Sequence, residues 1–151
     1  MAFSVPAPDY GGYERQKGAV DYKYGTDSTT NAYGRFISQQ RGQRNLGDMQ
    51  QGFQRKTPLF KSQFGQRGLA GPNVQSGVMQ NSMNQYLGDY GRDYGRAQQD
   101  LTQQLQGYDM NQSNLDAWRQ QQMGDIEAQK ATAIANDAAQ IEWLRSIVGG
   151  L

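Results

Sequence analysis

At 151 residues the chain is long enough for one ordinary domain, but Leu, Ile, Val and Phe supply only 24 of them, and a share below roughly 20% is too small to fill an independent core. Gln, Asn and Gly together account for 50 residues, while 15 basic against 14 acidic side chains leave a net charge of +1, too little self-repulsion for a permanently expanded coil. There is no His and no Cys, which excludes Ser-His-Asp and Cys-His catalysis, disulfides and ordinary His/Cys zinc sites.

This composition fits an extended subunit that buries its surface against other chains. The start, Met1-Ala2-Phe3-Ser4-Val5-Pro6, has neither a basic n-region nor an apolar h-region, and no run of about 18 apolar residues occurs. The expectation is a chain made and kept in a reducing compartment, or packaged there into something larger.

Residues 1–70 carry ten Lys/Arg and five Asp/Glu; residues 71–151 carry five and nine. An asymmetry of that kind predicts two segments with two jobs. In the first, glycines fall at irregular intervals among Tyr10, Tyr13, Tyr22, Tyr24, Tyr33 and Phe36, with no sustained period of 2 or 3.6. The prediction is an extended, basic Gly/Gln/Tyr-rich arm over 1–70. Only short pieces of it are expected to be regular, the best a helical turn or two around Ala32 to Arg44, with Thr29-Thr30-Asn31 as the candidate N-cap. An isolated arm of this composition has little reason to be ordered, so its order implies partners that hold it. The run Gly65-Gln66-Arg67-Gly68-Leu69-Ala70-Gly71-Pro72 is too rich in Gly and Pro for an element interior and predicts a hinge or tight loop.

Beyond it, over 71–151, apolar residues recur mostly every three or four positions, the signature of an amphipathic helix. A strict heptad fits residues 90–118, with Tyr90, Ala97, Gln104, Asn111 and Trp118 on one seam position and Tyr94, Leu101, Tyr108 and Leu115 on the other. Gln104 and Asn111 would be polar layers that fix register or oligomeric state at a cost in stability. Unbroken from Ser76 to Val148, such a helix would run about 110 Å at 1.5 Å per residue. Gly88, Gly91, Gly95, Gly107 and Gly124 each weaken it by about 1 kcal/mol relative to Ala, making Gly107 or Gly124 candidate hairpin corners. Gly149-Gly150 is the expected stop.

Four features bear on function. The tandem tetrads Asp89-Tyr90-Gly91-Arg92 and Asp93-Tyr94-Gly95-Arg96 place two rings at i,i+4 and two ion pairs at i,i+3, either as an inter-subunit stripe or as a chance duplication on a solvated face. Segment 35–67 interleaves Arg35, Arg41, Arg44, Arg55, Lys56, Lys61 and Arg67 with Phe36, Phe53, Phe60 and Phe64, against Asp48 alone. Such a mixture suits protein docking with Phe anchors, or contact with a phosphate backbone and bases. The carboxylates Asp89, Asp93, Asp100, Asp109, Asp116 and Asp125 lack calcium-loop spacing and read as a solvated face. Finally, residues 126–148 form an Ala-rich amphipathic stretch whose polar side has no Lys/Arg excess, favouring bundle packing over a membrane surface.

The stretch Gly68-Leu69-Ala70-Gly71-Pro72-Asn73-Val74-Gln75-Ser76-Gly77, leading into Met83, Tyr86, Tyr90-Gly91-Arg92-Asp93-Tyr94 and the Gln/Ala-rich helix through Leu144, resembles small minor structural proteins of tailed bacteriophages. The likeness covers roughly the second half of the chain and transfers no individual residue roles. It implies a multicopy, non-enzymatic virion subunit, internal and released with the genome during ejection, or bound in the portal, neck or tail.

Together these readings predict a mainly α protein: an extended arm over 1–70, then a long helix or helical hairpin over 71–151 packing in an oligomeric bundle. The expected partners of the arm act through Arg35, Phe36, Arg41, Arg44, Phe53, Arg55, Lys56, Phe60, Phe64 and Arg67. Expected helix packing runs through Tyr90, Tyr94, Leu101, Gln104, Tyr108, Asn111, Leu115 and Trp118. Those partners are symmetry copies and other virion proteins (portal, adaptor, tail or capsid), with packaged DNA as a further contact. No catalytic residue, cofactor, metal or small-molecule substrate is expected, and membrane contact only during infection. The expected location is the virion, after synthesis in the bacterial host cytoplasm. The alternatives are a nucleic-acid-binding protein using 35–67, a capsid decoration or cement protein, and a conditionally disordered scaffold.

Overall fold

The computed structural model describes residues 9–68, 70–71, 74–75 and 77–148. Two long helices pack against each other: α1, Gly11–Gln66, and α2, Gly77–Val148. Between them lie two-residue strands, β1 (Ala70–Gly71) and β2 (Val74–Gln75), paired antiparallel with Ala70 opposite Gln75 and Gly71 opposite Val74. The Gly149-Gly150 stop and positions 69, 72, 73 and 76 of the connection lie outside the described residues.

The first half of the chain corrects the sequence expectation: where an extended arm was predicted, residues 11–66 are one helix. Its start is capped by Asp9, whose Oδ1 accepts from the Gly11 N–H at 2.8 Å. Thr29 and Thr30, expected to cap a short helix at Ala32, sit inside the long one. Their hydroxyls donate back to the carbonyls of Gly25 and Thr26 at 2.7 and 2.9 Å, so their polar groups are satisfied without ending the helix. At the other end the Gly68 N–H donates to the Gly65 carbonyl at 3.1 Å, and Gly68 turns left-handed, φ 69°. Glycine alone takes that conformation without strain, which stops α1 at this point. By contrast α2 runs unbroken through both Gly107 and Gly124.

Two compact units divide the chain, and both helices contribute to each. A terminal unit holds Met1–Asn31 with Met110–Leu151; a turn unit holds Ala32–Asp109. The helices run antiparallel in both, but the chemistry of the seam differs.

In the turn unit, one row of half-buried positions on each helix steps by four, four and three. These rows are Ser38, Gly42, Leu46, Met49, Phe53, Thr57, Phe60 and Phe64 on α1, and Tyr86, Tyr90, Tyr94, Ala97, Leu101, Leu105 and Tyr108 on α2. The repeat is eleven residues in three turns rather than seven in two, so one narrow stripe stays on the partner over this length. Small residues on α1 admit large ones from α2. A Cβ on Gly34 would lie 2.8 Å from Tyr108 Cε1, and one on Gly42 would overlap the Leu101 methyls. Farther toward the connection, Phe53 stacks on Tyr90 and Tyr86 with ring centres 4.0 and 5.3 Å away, and Phe60 stacks on Tyr86 at 4.9 Å. Offset stacks of this kind add about 0.5–1.5 kcal/mol each beyond the area they bury.

The terminal unit is joined by polar groups. Glu14 pairs with Lys130 at 2.7 Å, Lys17 with Glu127 at 3.0 Å and Asp21 with Arg119 at 2.8 Å. The signs alternate along α1 and are answered along α2, so a slipped register would set like charges together. Among the described residues only Ile126 (6% exposed) is a buried apolar side chain, and Asn31 (7%) a buried polar one.

Candidate docking surface

The phenylalanines and the cations of segment 35–67 part company once it is helical. Phe53, Phe60 and Phe64 are half-buried, the first two against α2 rings and Phe64 edge-on to Phe60 at 5.1 Å. Phe36 stays 53% exposed. Arg35 is engaged within the unit, its Nε 2.8 Å from Asp109. Arg41, Arg44, Arg55, Lys56 and Arg67 are exposed, and none of these five forms an ion pair among the described residues.

Helical geometry explains the split. Arg44 and Arg55 each lie two positions after a seam residue, Gly42 and Phe53. At 100° per residue they point to the opposite side of α1.

Of the positions expected to pack α2, Tyr90, Tyr94, Leu101, Tyr108, Leu115 and Trp118 are half-buried, while Gln104 and Asn111 are exposed. With the eleven-residue step, Leu105 and Gln112 take the inward places that a heptad gives to 104 and 111. Gln104 borders a groove beside Gly42 and Leu101. Asn111 still reaches across, donating through Nδ2 to Asn31 Oδ1 at 3.2 Å. Gln112 is the hub: its Oε1 accepts from Ser28 at 3.1 Å and its Nε2 donates to Asp116 at 3.1 Å. Asp116 also accepts from the Tyr24 hydroxyl at 2.6 Å.

These contacts shift proton affinities in definite directions. The hydrogen bond to Asp116 raises the Tyr24 pKa above its ordinary value. Partial burial, then the bond to Asp137, does the same for Tyr10. Lys130 holds Glu14 below its ordinary value, and Glu127 holds Lys17 above its own.

On one flank of the turn unit two grooves adjoin. One, about 450 Å³, has Phe53, Tyr86 and Tyr90 as its floor and Asp48, Asp89, Asp93 and Lys56 at its rim. The next is bordered by Asp93, Arg96, Asp100 and Gln104 over Gly42, Ala97 and Leu101. Within the tandem tetrads Asp89 pairs with Arg92, and Asp93 with Arg96 at 3.9 Å. Asp100 has no ion pair among the described residues. The turn unit carries nine cations and five anions overall, the terminal unit six and nine. The surface therefore offers unpaired guanidinium groups on one side and carboxylates over an aromatic floor on another, a chemistry of docking by charge and stacking.

Among the described residues no group of three or more acidic side chains is placed to hold a metal ion, and no helix is long and apolar enough to cross a membrane. Small seam residues such as Gly34 and Gly42 escaped the sequence reading because hydrophobic periodicity does not register them. The eleven-residue return of Gly42, Phe53 and Phe64 was the available signal. Comparison with protein-family models, curated proteins and solved structures finds no match to this chain.

Proposed function

We propose that the chain is a non-enzymatic structural subunit of a tailed-bacteriophage particle, present in several copies at the portal, neck or tail or stored in the capsid and released with the genome. One observation carries the assembly part of this reading: a 151-residue chain buries one apolar side chain, Ile126, among its described residues, while Tyr22, Tyr33, Phe36, Leu59 and Trp143 remain exposed. Large exposed apolar side chains on a protein with so little core belong to surfaces that other subunits cover. The particle assignment rests on the likeness of residues 68–144 to minor virion proteins.

Quantitative mass spectrometry of purified particles of the virus encoding the chain tests it. The expected result is the chain at a fixed stoichiometry of several copies per particle, retained through a density gradient. Recovery only from the lysate of infected cells would overturn it.

A second reading, nucleic-acid contact, is favoured by the unpaired Arg41, Arg44 and Arg55. It requires affinity for duplex DNA that falls steeply with salt, measured by fluorescence anisotropy between 50 and 200 mM salt.

A further inference from the structure

The eleven-residue step builds the turn unit from repeating layers. In one layer Gly42 of α1 meets Leu101 of α2, and in the next Phe53 meets Tyr90. Each layer carries the same two charges at the same places. Two positions after the α1 seam residue stands an outward arginine, Arg44 or Arg55; one position before the α2 seam residue stands an aspartate on the grooved flank, Asp100 or Asp89. The arginines are eleven residues apart and so are the aspartates, a separation of about 16 Å along either helix axis.

From this match we infer that the turn unit docks on a second copy of the same chain, Arg44 and Arg55 of one copy seated on Asp100 and Asp89 of the next. The inference deepens the multicopy reading above and rests on it. Because each layer offers one such arginine and one such aspartate, with Asp89 shared between the incoming arginine and its own Arg92, a neighbour in the same orientation satisfies both pairs at once. A neighbour slipped by a few residues satisfies neither. The groove beneath Asp89 is floored by Tyr86, Tyr90 and Phe53, the kind of surface on which a guanidinium stacks more favourably than an ammonium. Donor face and acceptor face are different surfaces of one molecule, so the contact is heterologous. Each added copy leaves a fresh pair of faces open, and such contacts close into rings or continue as filaments. Exposed ion pairs contribute little affinity individually; their effect here is to select orientation and register.

The test uses the full chain in sedimentation velocity at 50 and 500 mM salt, with circular dichroism to confirm that every variant stays helical. Wild type is expected to associate in a concentration-dependent way at low salt and to weaken at least tenfold at high salt. R44E/R55E and D89R/D100R are each expected to sediment as monomers. Mixing the two restores two compatible contacts, the acidic stripe of the first on the basic groove of the second and the arginine stripe of the second on the aspartates of the first, and should give mixed assemblies that grow beyond the heterodimer.

The inference fails if wild type stays monomeric to several hundred micromolar at low salt, if either variant associates like wild type, or if the mixture stays monomeric. It also fails if duplex DNA, and not a second copy, is what Arg44 and Arg55 hold in a parallel titration. A chain found in purified particles yet unable to self-associate would sink this docking mode and leave the structural-subunit reading standing.

Discussion

The two units use the same pair of helices and hold them together by opposite means. In the turn unit, glycine against Tyr108 and Leu101 and a stack of Phe53, Phe60, Tyr86 and Tyr90 make a short-range seam that depends on shape. The terminal unit uses alternating ion pairs and a Tyr24–Asp116–Gln112–Ser28 network, and Ile126 is its one buried apolar side chain among the described residues. A shape-dependent seam tolerates salt and acid but no added methyl; a charge-dependent one tolerates volume changes and responds to solvent. Sequences poor in aliphatic residues therefore have at least two ways to pair helices.

The contrast is broken most strongly by attacking the one apolar side chain that is buried among the described residues. Ile126→Ala should destabilise the terminal unit by about 2–4 kcal/mol, seen as lost amide-exchange protection across residues 110–137. Next comes Gly42→Val, whose branched side chain overlaps the Leu101 methyls. A cost of about 2 kcal/mol is expected in thermal unfolding. Its control, Gly47→Ala, meets nothing within 4 Å and should stabilise by about 0.5–1 kcal/mol through helix propensity alone; equal responses at 42 and 47 would refute the close-approach account.

The smallest expected effect is the sharpest test of the charge ladder. Glu14, lowered from 4.5, contributes stability that is present above its unfolded pKa and is lost as pH falls through the lowered value. Lys17, raised from 10.5, and Tyr10 and Tyr24, raised from 10.0, contribute below those values and lose it as pH rises through the raised ones. Exchange protection in the terminal unit should therefore decline at both acid and alkaline ends, and with added salt at neutral pH, while protection around Phe53 and Tyr90 changes little.

Much of α2 was readable from its apolar residues, because Tyr86, Tyr90, Leu101, Leu105 and Tyr108 announce a helical period. The helix over 11–66 was not, since its inward positions are filled by Lys17, Ser28, Asn31, Ser38, Gly42 and Thr57 as often as by Val20 or Phe53. Such residues carry inward position without hydrophobicity: a glycine fits because of what faces it, and an asparagine because of what bonds to it. Gln104 and Asn111 illustrate the same limit from the other side. A seven-residue period placed them on the seam, and the eleven-residue period of the folded chain gives the inward places to Leu105 and Gln112, leaving Gln104 exposed and Asn111 at the seam's edge with its bond to Asn31, because each repeat shifts a stripe in the opposite sense. The cations of the candidate docking surface were visible at once, but their separation from Phe53 and Phe60 required knowing that the segment is helical.

The repeating step also has a consequence for how the gene can change. Within the turn unit, eleven codons removed from one helix and the opposing eleven from the other would delete a layer and return every surviving side chain to the face it occupied before. Deleting five or six codons would swing a seam by more than 100° and present its aromatics to solvent. Homologous chains should therefore differ in length here by paired multiples of eleven, a rule that sequencing of related genomes can check without a protein ever being purified.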